Sequence, residues 1–242
     1  MSGFFYSFTR MSATDELHKK SWLLQQFLEH ISENRQAKFK AVINNRSRHI
    51  TVVLENLFQP HNAAAVLRSC DCFGVQDVHI IENNNTFSPN REIDMGSSKW
   101  LSLHRYNSGE ENTMECLNSL KKKGYRLIAT TPHTDRLIGD LPVDKPFALL
   151  FGTEMTGLSE KALEAADEQV KLPMYGFTES YNISVSVALA LFNTTERMRN
   201  LPDLNWQLKE SDKIDILLTW AKNTVKNSQT VEKVLSRKYD SL

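Results

Sequence analysis

Six short apolar runs, each followed by sequence of helical character, recur through the middle of the chain, and this alternation narrows the folds open to it more than any other feature. The runs are TVVLENL at 51–57, VHII at 78–81, LSLHRY at 101–106, YRLIATT at 125–131, FALLFG at 147–152 and QVKLPM at 169–174. Strands separated by helices join through crossovers, and crossovers within one sheet make neighbouring strands parallel, so an α/β fold is expected. Helices are expected at 61–73, 110–123, 159–167 and 182–199, the last rich in Ala, Val and Leu and therefore well buried, with Pro202 marking its end. Helical segments flank this core. At 14–45, Leu17, Trp22, Leu23, Phe27, Leu28 and Ile31 recur at spacings near three and four, with Ser12 or Thr14 as a cap, and 209–237 is again amphipathic. The 242 residues suit one main core with appendages: a helical N-terminal extension over 1–49, an α/β domain over 50–200 and a helical C-terminal extension over 201–242.

Hydrophobic residues make up 40% and charged residues 24%, a balance that excludes a disordered or fibrous chain. No run approaches the roughly 18 apolar residues needed to span a bilayer, and the opening MSGFFYSFTR lacks the apolar stretch of a signal peptide, so a cytoplasmic location is expected. Three cysteines cannot all pair, which favours reduced thiols. Cys70 and Cys72, two apart on a helix, point to different faces, and no metal site is expected. The net charge of zero argues against nonspecific coating of nucleic acid. Basic residues are nevertheless clustered: Arg35, Lys38, Lys40, Arg46 and Arg48 occur without an acidic neighbour, and Lys222, Lys226, Lys233, Arg237 and Lys238 face only Glu232. Such runs are either solvated helix faces or grips on an RNA backbone.

Several sites are missing. No two glycines form a G-x-G pair, so the dinucleotide fingerprint is absent. Gly152 and Gly157 have phosphate-loop spacing, but Leu158 stands where the lysine belongs. Neither a G-x-S-x-G elbow nor an H-E-x-x-H pair occurs.

Three polar segments each follow a strand and precede a helix: Asn56 to Asn62 and on to Arg68, Leu150 to Ser159, and Leu172 to Asn182. In open α/β sheets, ligands bind at the carboxyl ends of strands, so these loops can converge on one site. Arg68, about two turns into a helix rich in Ala, Val and Leu, reads as a buried arginine, held by an ion pair with a residue such as Glu154 or serving chemistry. Asn62, Ser159 and Asn182 can each be plain helix caps.

Taken in order, PHNAAAVLRSCDCFGV, LLFGTEMTGLS and LPMYGFTESYNISVSVALALF resemble the SpoU branch of the SPOUT methyltransferases over roughly residues 50–200. With GSSKWLSLHRY after the second strand and helices at both ends, the chain is most similar to the tRNA guanosine-2′-O-methyltransferases of that branch. About 50 residues precede the core, too few for the ribosomal-protein-like domain that related ribosomal RNA enzymes often carry.

The resemblance implies a SPOUT-type fold, with the C-terminal part of a parallel sheet threaded into a deep trefoil knot, and a homodimer whose site lies near the knot and the subunit interface. It implies S-adenosyl-L-methionine as cofactor, held by Thr130, Gly152, Leu172 and Tyr181 with Met174 nearby, and a guanosine in the D-loop of tRNA as the methyl acceptor. Tyr181 departs from the leucine common among relatives, and its hydroxyl needs a partner. The resemblance gives the base-like role to Arg68, together with an RNA phosphate, while Asn62, Glu154, Ser180 and Asn182 hold Arg68, the ribose and the loops in register. A guanidinium with a pKa above about 12 is a poor base, so either Arg68 or the phosphate takes the proton. On this reading Arg35, Lys38, Lys40, Arg46, Arg48, Lys222 and Lys226 grip the RNA backbone. The alternatives are a ribosomal RNA 2′-O-methyltransferase, a catalytically inactive knotted RNA-binding protein and an unrelated nucleotide-binding α/β protein.

Overall fold

A computed structural model of the chain describes residues 12–88 and 94–241. The opening MSGFFYSFTR lies outside the described residues. The chain divides into two compact units: residues 45–207 form one, and the segments up to Asn44 and from Leu208 onward together form the other. The helices are α1 (Ala13–Leu28), α2 (Glu33–Ile43), α3 (Pro60–Cys72), α4 (Asn112–Lys122), α5 (Glu160–Ala165), α6 (Ile183–Arg199), α7 (Glu210–Thr224) and α8 (Ser228–Tyr239). The strands are β1 (Ile50–Glu55), β2 (Asp77–Ile81), β3 (Ser102–Tyr106), β4 (Arg126–Thr130), β5 (Phe147–Phe151) and β6 (Glu168–Val170).

All six strands join one sheet in the order β3-β2-β1-β5-β4-β6, every pair parallel. Alternation along each strand sorts its side chains between two helix layers. Ile50, Val52 and Leu54 of β1, with Val78, Ile80, Leu149 and Phe151, pack against Val66 and Leu67 of α3 and Val187 and Leu191 of α6. Val53, Ile81, Leu127, Ala129, Ala148 and Leu150 face the other way, against Cys116, Leu117 and Leu120 of α4 and Ala162 of α5. Burial on both faces explains why β1 and β5 read as continuous apolar runs rather than as alternating ones. Each expected run overlaps one of the strands. QVKLPM contributes only Gln169 and Val170, because the chain leaves the sheet before Pro173, which has no N–H to give a ladder.

In the smaller unit, α1 packs on α7 and α8, and α2 on α7. Leu23, Leu24, Phe27, Phe39 and Trp220 are buried, with the Phe39 and Trp220 rings edge to face at 5.5 Å. Ser12 is the cap: its Oγ accepts the Asp15 amide at 3.1 Å, and the Asp15 carboxylate accepts the Ser12 amide at 3.3 Å. Each flanking segment is two helices rather than one. Extended backbone at Ser32 separates the first pair, and left-handed Asn227 (φ 53°) separates the second. Among the described residues no helix is long and apolar enough to cross a membrane.

The structure corrects one basic residue. Arg46 is 1% exposed, ion-paired with Asp71, and donates from Nη1 to the Val75 carbonyl at 3.1 Å. It ties the start of β1 to the end of α3 and presents no charge to an RNA backbone. Cys70 and Cys116 are buried and Cys72 is exposed. Burial pushes the Cys70 and Cys116 thiols up to about 12, so neither supplies a thiolate near neutral pH.

His79 of β2 stacks on His104 of β3 at 4.6 Å and its Nδ1 lies 3.1 Å from the Tyr106 hydroxyl. Burial, reinforced by the charge of His104, pushes its pKa from 6.5 down to about 3. The unfolded chain protonates this ring on acidification before the folded chain does. Stability present above pH 6.5 is therefore lost as the pH falls toward 3, at up to about 1.4 kcal/mol per pH unit from this group. Urea unfolding of His79→Gln at pH 6.5 and pH 5 should show a smaller loss than wild type over that interval; an equal loss rejects the assignment.

Candidate active site

Because every strand pair is parallel, the loops that follow β1, β4, β5 and β6 leave the same edge of the sheet. At that edge lies a cavity of about 350 Å³. Thr130, Gly152, Leu172, Met174 and Tyr181 all line it, together with Glu154 and Ser180. Five residues assigned to one cofactor thus share one cavity, although 51 positions separate the first from the last.

The three polar segments meet through the Asn62 side chain, which is 7% exposed. Its Nδ2 donates to Glu154 Oε1 and, at 3.0 Å, to Gln59 Oε1, while its Oδ1 accepts Nδ2 of Asn182 at 3.1 Å. Both amide hydrogens and the carbonyl are used, as a buried amide requires. Asn62 is therefore no helix cap, since Gln59 holds the N-cap position of α3, with Pro60 in the first turn where a missing N–H costs nothing. Asn182 does both jobs, because its Oδ1 accepts the Ser184 amide at 2.9 Å and so caps α6.

Arg68 differs from the buried arginine expected of its neighbours. It is exposed on α3, six residues beyond Asn62, and makes no ion pair with Glu154. Ala63, Ala64, Val66 and Leu67 turn to the core while position 68 falls on the outer side of the helix. Glu154 is instead bound to Asn62, which leaves the guanidinium without a partner among the described residues.

Local structure shapes the cavity wall. A Cβ on Gly152 would lie 2.0 Å from the Gly157 carbonyl carbon, because Thr153 and Gly157 exchange backbone hydrogen bonds of 3.0 Å and close the loop tightly. Gly157 takes the left-handed conformation (φ 69°) that completes this turn. Thr130 donates to the Leu150 carbonyl at 2.7 Å, fixing the end of β4 to β5. The Tyr181 hydroxyl finds its partner in the Pro173 carbonyl at 3.0 Å.

Three contributors escaped the sequence reading. Buried Glu55 accepts from Ser159 N and Oγ, both at 2.8 Å, and from Thr113 Oγ1 at 2.6 Å, anchoring the cap of α5 just past the cavity loop. The signal was available, since a carboxylate ends an otherwise apolar strand. His133 and Glu179 line the cavity, with only loop position to suggest them. Of the basic residues, Arg35, Lys38 and Lys40 are exposed on α2, and Lys226 is exposed between α7 and α8. Lys222 pairs with Glu232 at 2.6 Å and Arg48 with Asp77 at 2.9 Å.

The two glycines of the cavity loop should respond differently to alanine. Gly152→Ala must displace backbone and should cost about 2–3 kcal/mol. Gly157→Ala meets open space and bears only a left-handed backbone, about 1 kcal/mol. Chemical denaturation of both variants checks the order; equal losses would show that the close approach at Gly152 is not limiting.

The SpoU rRNA Methylase family model matches residues 49–192. The tRNA (guanosine(18)-2'-O)-methyltransferase of Borreliella burgdorferi is 36% identical over 223 residues, 92% of this chain and 99% of the relative. The enzyme of the same name from Thermus thermophilus is 36% identical over 162 residues, 66% of this chain and 81% of the relative. Among solved structures, the A. aeolicus TrmH/SpoU tRNA modifying enzyme superposes with a TM-score of 0.72 at 26% identity, covering 80% of this chain and 98% of that one. With the family model spanning more than half of its length and a relative aligned over nearly all of it, the chain belongs to the SpoU rRNA methylase family.

Proposed function

We propose that the chain is an S-adenosyl-L-methionine-dependent RNA 2′-O-methyltransferase acting on tRNA, at the D-loop guanosine numbered 18 in the names of its relatives. The observation that carries this reading is the junction at Asn62, which draws Glu154 and Asn182 from two other loops to the edge of one cavity.

The cavity suits the cofactor by its donor set. Leu158, Leu172, Met174 and Ile183 provide apolar wall for a purine ring, and the carboxylates of Glu154 and Glu179 favour a cationic centre. When bound, S-adenosylmethionine supplies an electrophilic methyl group carried on a sulfonium. The residues of the chain then have two tasks, holding the ribose 2′-hydroxyl in line and disposing of its proton. Arg68, exposed and unpaired among the described residues, binds an RNA phosphate through its forked donors, orients it toward the hydroxyl and stabilises the developing oxyanion. Asn62 keeps Glu154 and Asn182 in register, and Ser180 supplies a hydroxyl at the cavity wall.

On this reading residues 50–200 are the catalytic domain, with its C-terminal part knotted, and the helical ends 1–49 and 201–242 serve RNA binding in the cytoplasm. Exposed Arg35, Lys38, Lys40 and Lys226 contact phosphates, with Lys222 and Arg48 contributing from their ion pairs. A homodimer is supported by Val185, Leu189 and Phe192, which make an exposed apolar stripe at helical spacing along α6.

Labelled methyl from S-adenosylmethionine should enter bulk unmodified tRNA and be recovered after nuclease digestion as 2′-O-methylguanosine. Label found only in ribosomal RNA would change the substrate, and no label on any RNA would reject the reading. Arg68→Ala should lower kcat by about 10²- to 10³-fold with S-adenosylhomocysteine affinity unchanged. Lys38→Ala and Lys40→Ala should each flatten the slope of log affinity for tRNA against log salt by about 1; slopes equal to wild type would remove these lysines from the interface.

A further inference from the structure

The three most exposed large apolar side chains among the described residues are Met155, Tyr175 and Phe177, at 95%, 95% and 108% of full exposure. All three belong to the two loops that line the cavity at the sheet edge. Met155 is itself part of the wall. Tyr175 and Phe177 lie between Met174 and Glu179, which line the cavity from either side of them. A Cβ on the intervening Gly176 would meet no atom within 4 Å, so this loop tip stands clear of the rest of the chain. Rings this exposed do not cover a ligand inside the cavity. They await something arriving from solvent.

Resting on the functional reading above, we propose that Tyr175 and Phe177 form a stacking platform for the nucleobase of the acceptor nucleotide, with Met155 as its apolar border. To present a ribose hydroxyl at a recessed site, an RNA must turn the acceptor nucleotide out of its own stack and lose the contacts of that base. Aromatic side chains at the mouth of the cavity replace those contacts, and they do so for any base because every base has a π-face. The requirement for guanosine then has to come from another part of the site. The stripe on α6 differs in kind, since its members lie along a helix at regular spacing and are only partly uncovered.

The test compares wild type with Tyr175→Ala, Phe177→Ala and the double variant. Affinity for unmodified tRNA is measured by filter binding at several salt concentrations, affinity for S-adenosylhomocysteine by calorimetry, and mass by sedimentation equilibrium. The platform predicts a roughly 10- to 100-fold weaker tRNA affinity for the double variant. It also predicts an unchanged salt slope, because stacking releases no counterions, with unchanged S-adenosylhomocysteine binding and mass. Phe177→Trp should restore binding to the level of the native ring. A tRNA lacking the acceptor base should bind wild type as weakly as intact tRNA binds the double variant, with little further loss when the two changes are combined.

Wild-type tRNA affinity in the double variant overturns the inference while leaving the functional reading intact. Loss of S-adenosylhomocysteine binding overturns it in favour of a cofactor cover, and a halved mass overturns it in favour of a subunit contact. Absence of tRNA binding in wild type removes the functional reading and this inference with it.

Discussion

A single side-chain amide holds the working edge of this protein together. Asn62 donates to Glu154 from the loop after β5 and accepts from Asn182 at the head of α6, and it does so while nearly excluded from water. Neither an aspartate nor an aliphatic residue can do both. A second carboxylate would repel Glu154, and an apolar group would break both bonds and leave the loops of Glu154 and Asn182 unjoined. The geometry of the site follows from that one joint, because each partner stands on a loop whose far end is fixed in the sheet.

The sheet makes the joint possible. Its strands are parallel and its central members are covered by helices on both faces, so the polar groups of the site collect where the strands end. Glu55 shows how far this organisation reaches. A buried carboxylate at the end of β1 receives the hydroxyl of Thr113 from α4 and both donors of Ser159 ahead of α5, and so positions the end of the cavity loop from behind. Gly152 limits the same loop from the front by admitting the backbone of Gly157 to a distance that no side chain tolerates.

The division of labour among charged residues is equally physical. Arg46 lies just ahead of β1 among polar neighbours and Arg68 lies within α3 among Ala, Val and Leu, yet it is Arg46 that is sealed against Asp71 and Arg68 that stands in solvent. Their local sequences suggest the reverse. An arginine spent on an internal ion pair holds elements together, whereas an exposed one without an acidic partner keeps its donors for an anion.

The sequence by itself determined the six strands and the order of helices between them, because periodicity and apolar runs are local and each element carries its own pattern. Through their resemblance to the SpoU branch, its motif segments also pointed to Asn62, Glu154, Ser180 and Asn182, and to the five residues now found on one cavity wall. Only the tertiary structure decided which basic residues face water, that Asn62 joins loops rather than capping a helix, and that Glu55 braces Ser159. It also revealed that the helices at the two ends of the chain form one unit. Each of these depends on contacts between residues distant in sequence, 92 positions apart for Asn62 and Glu154 and 104 for Glu55 and Ser159. A one-dimensional pattern records what a residue is, and folding alone decides what it meets.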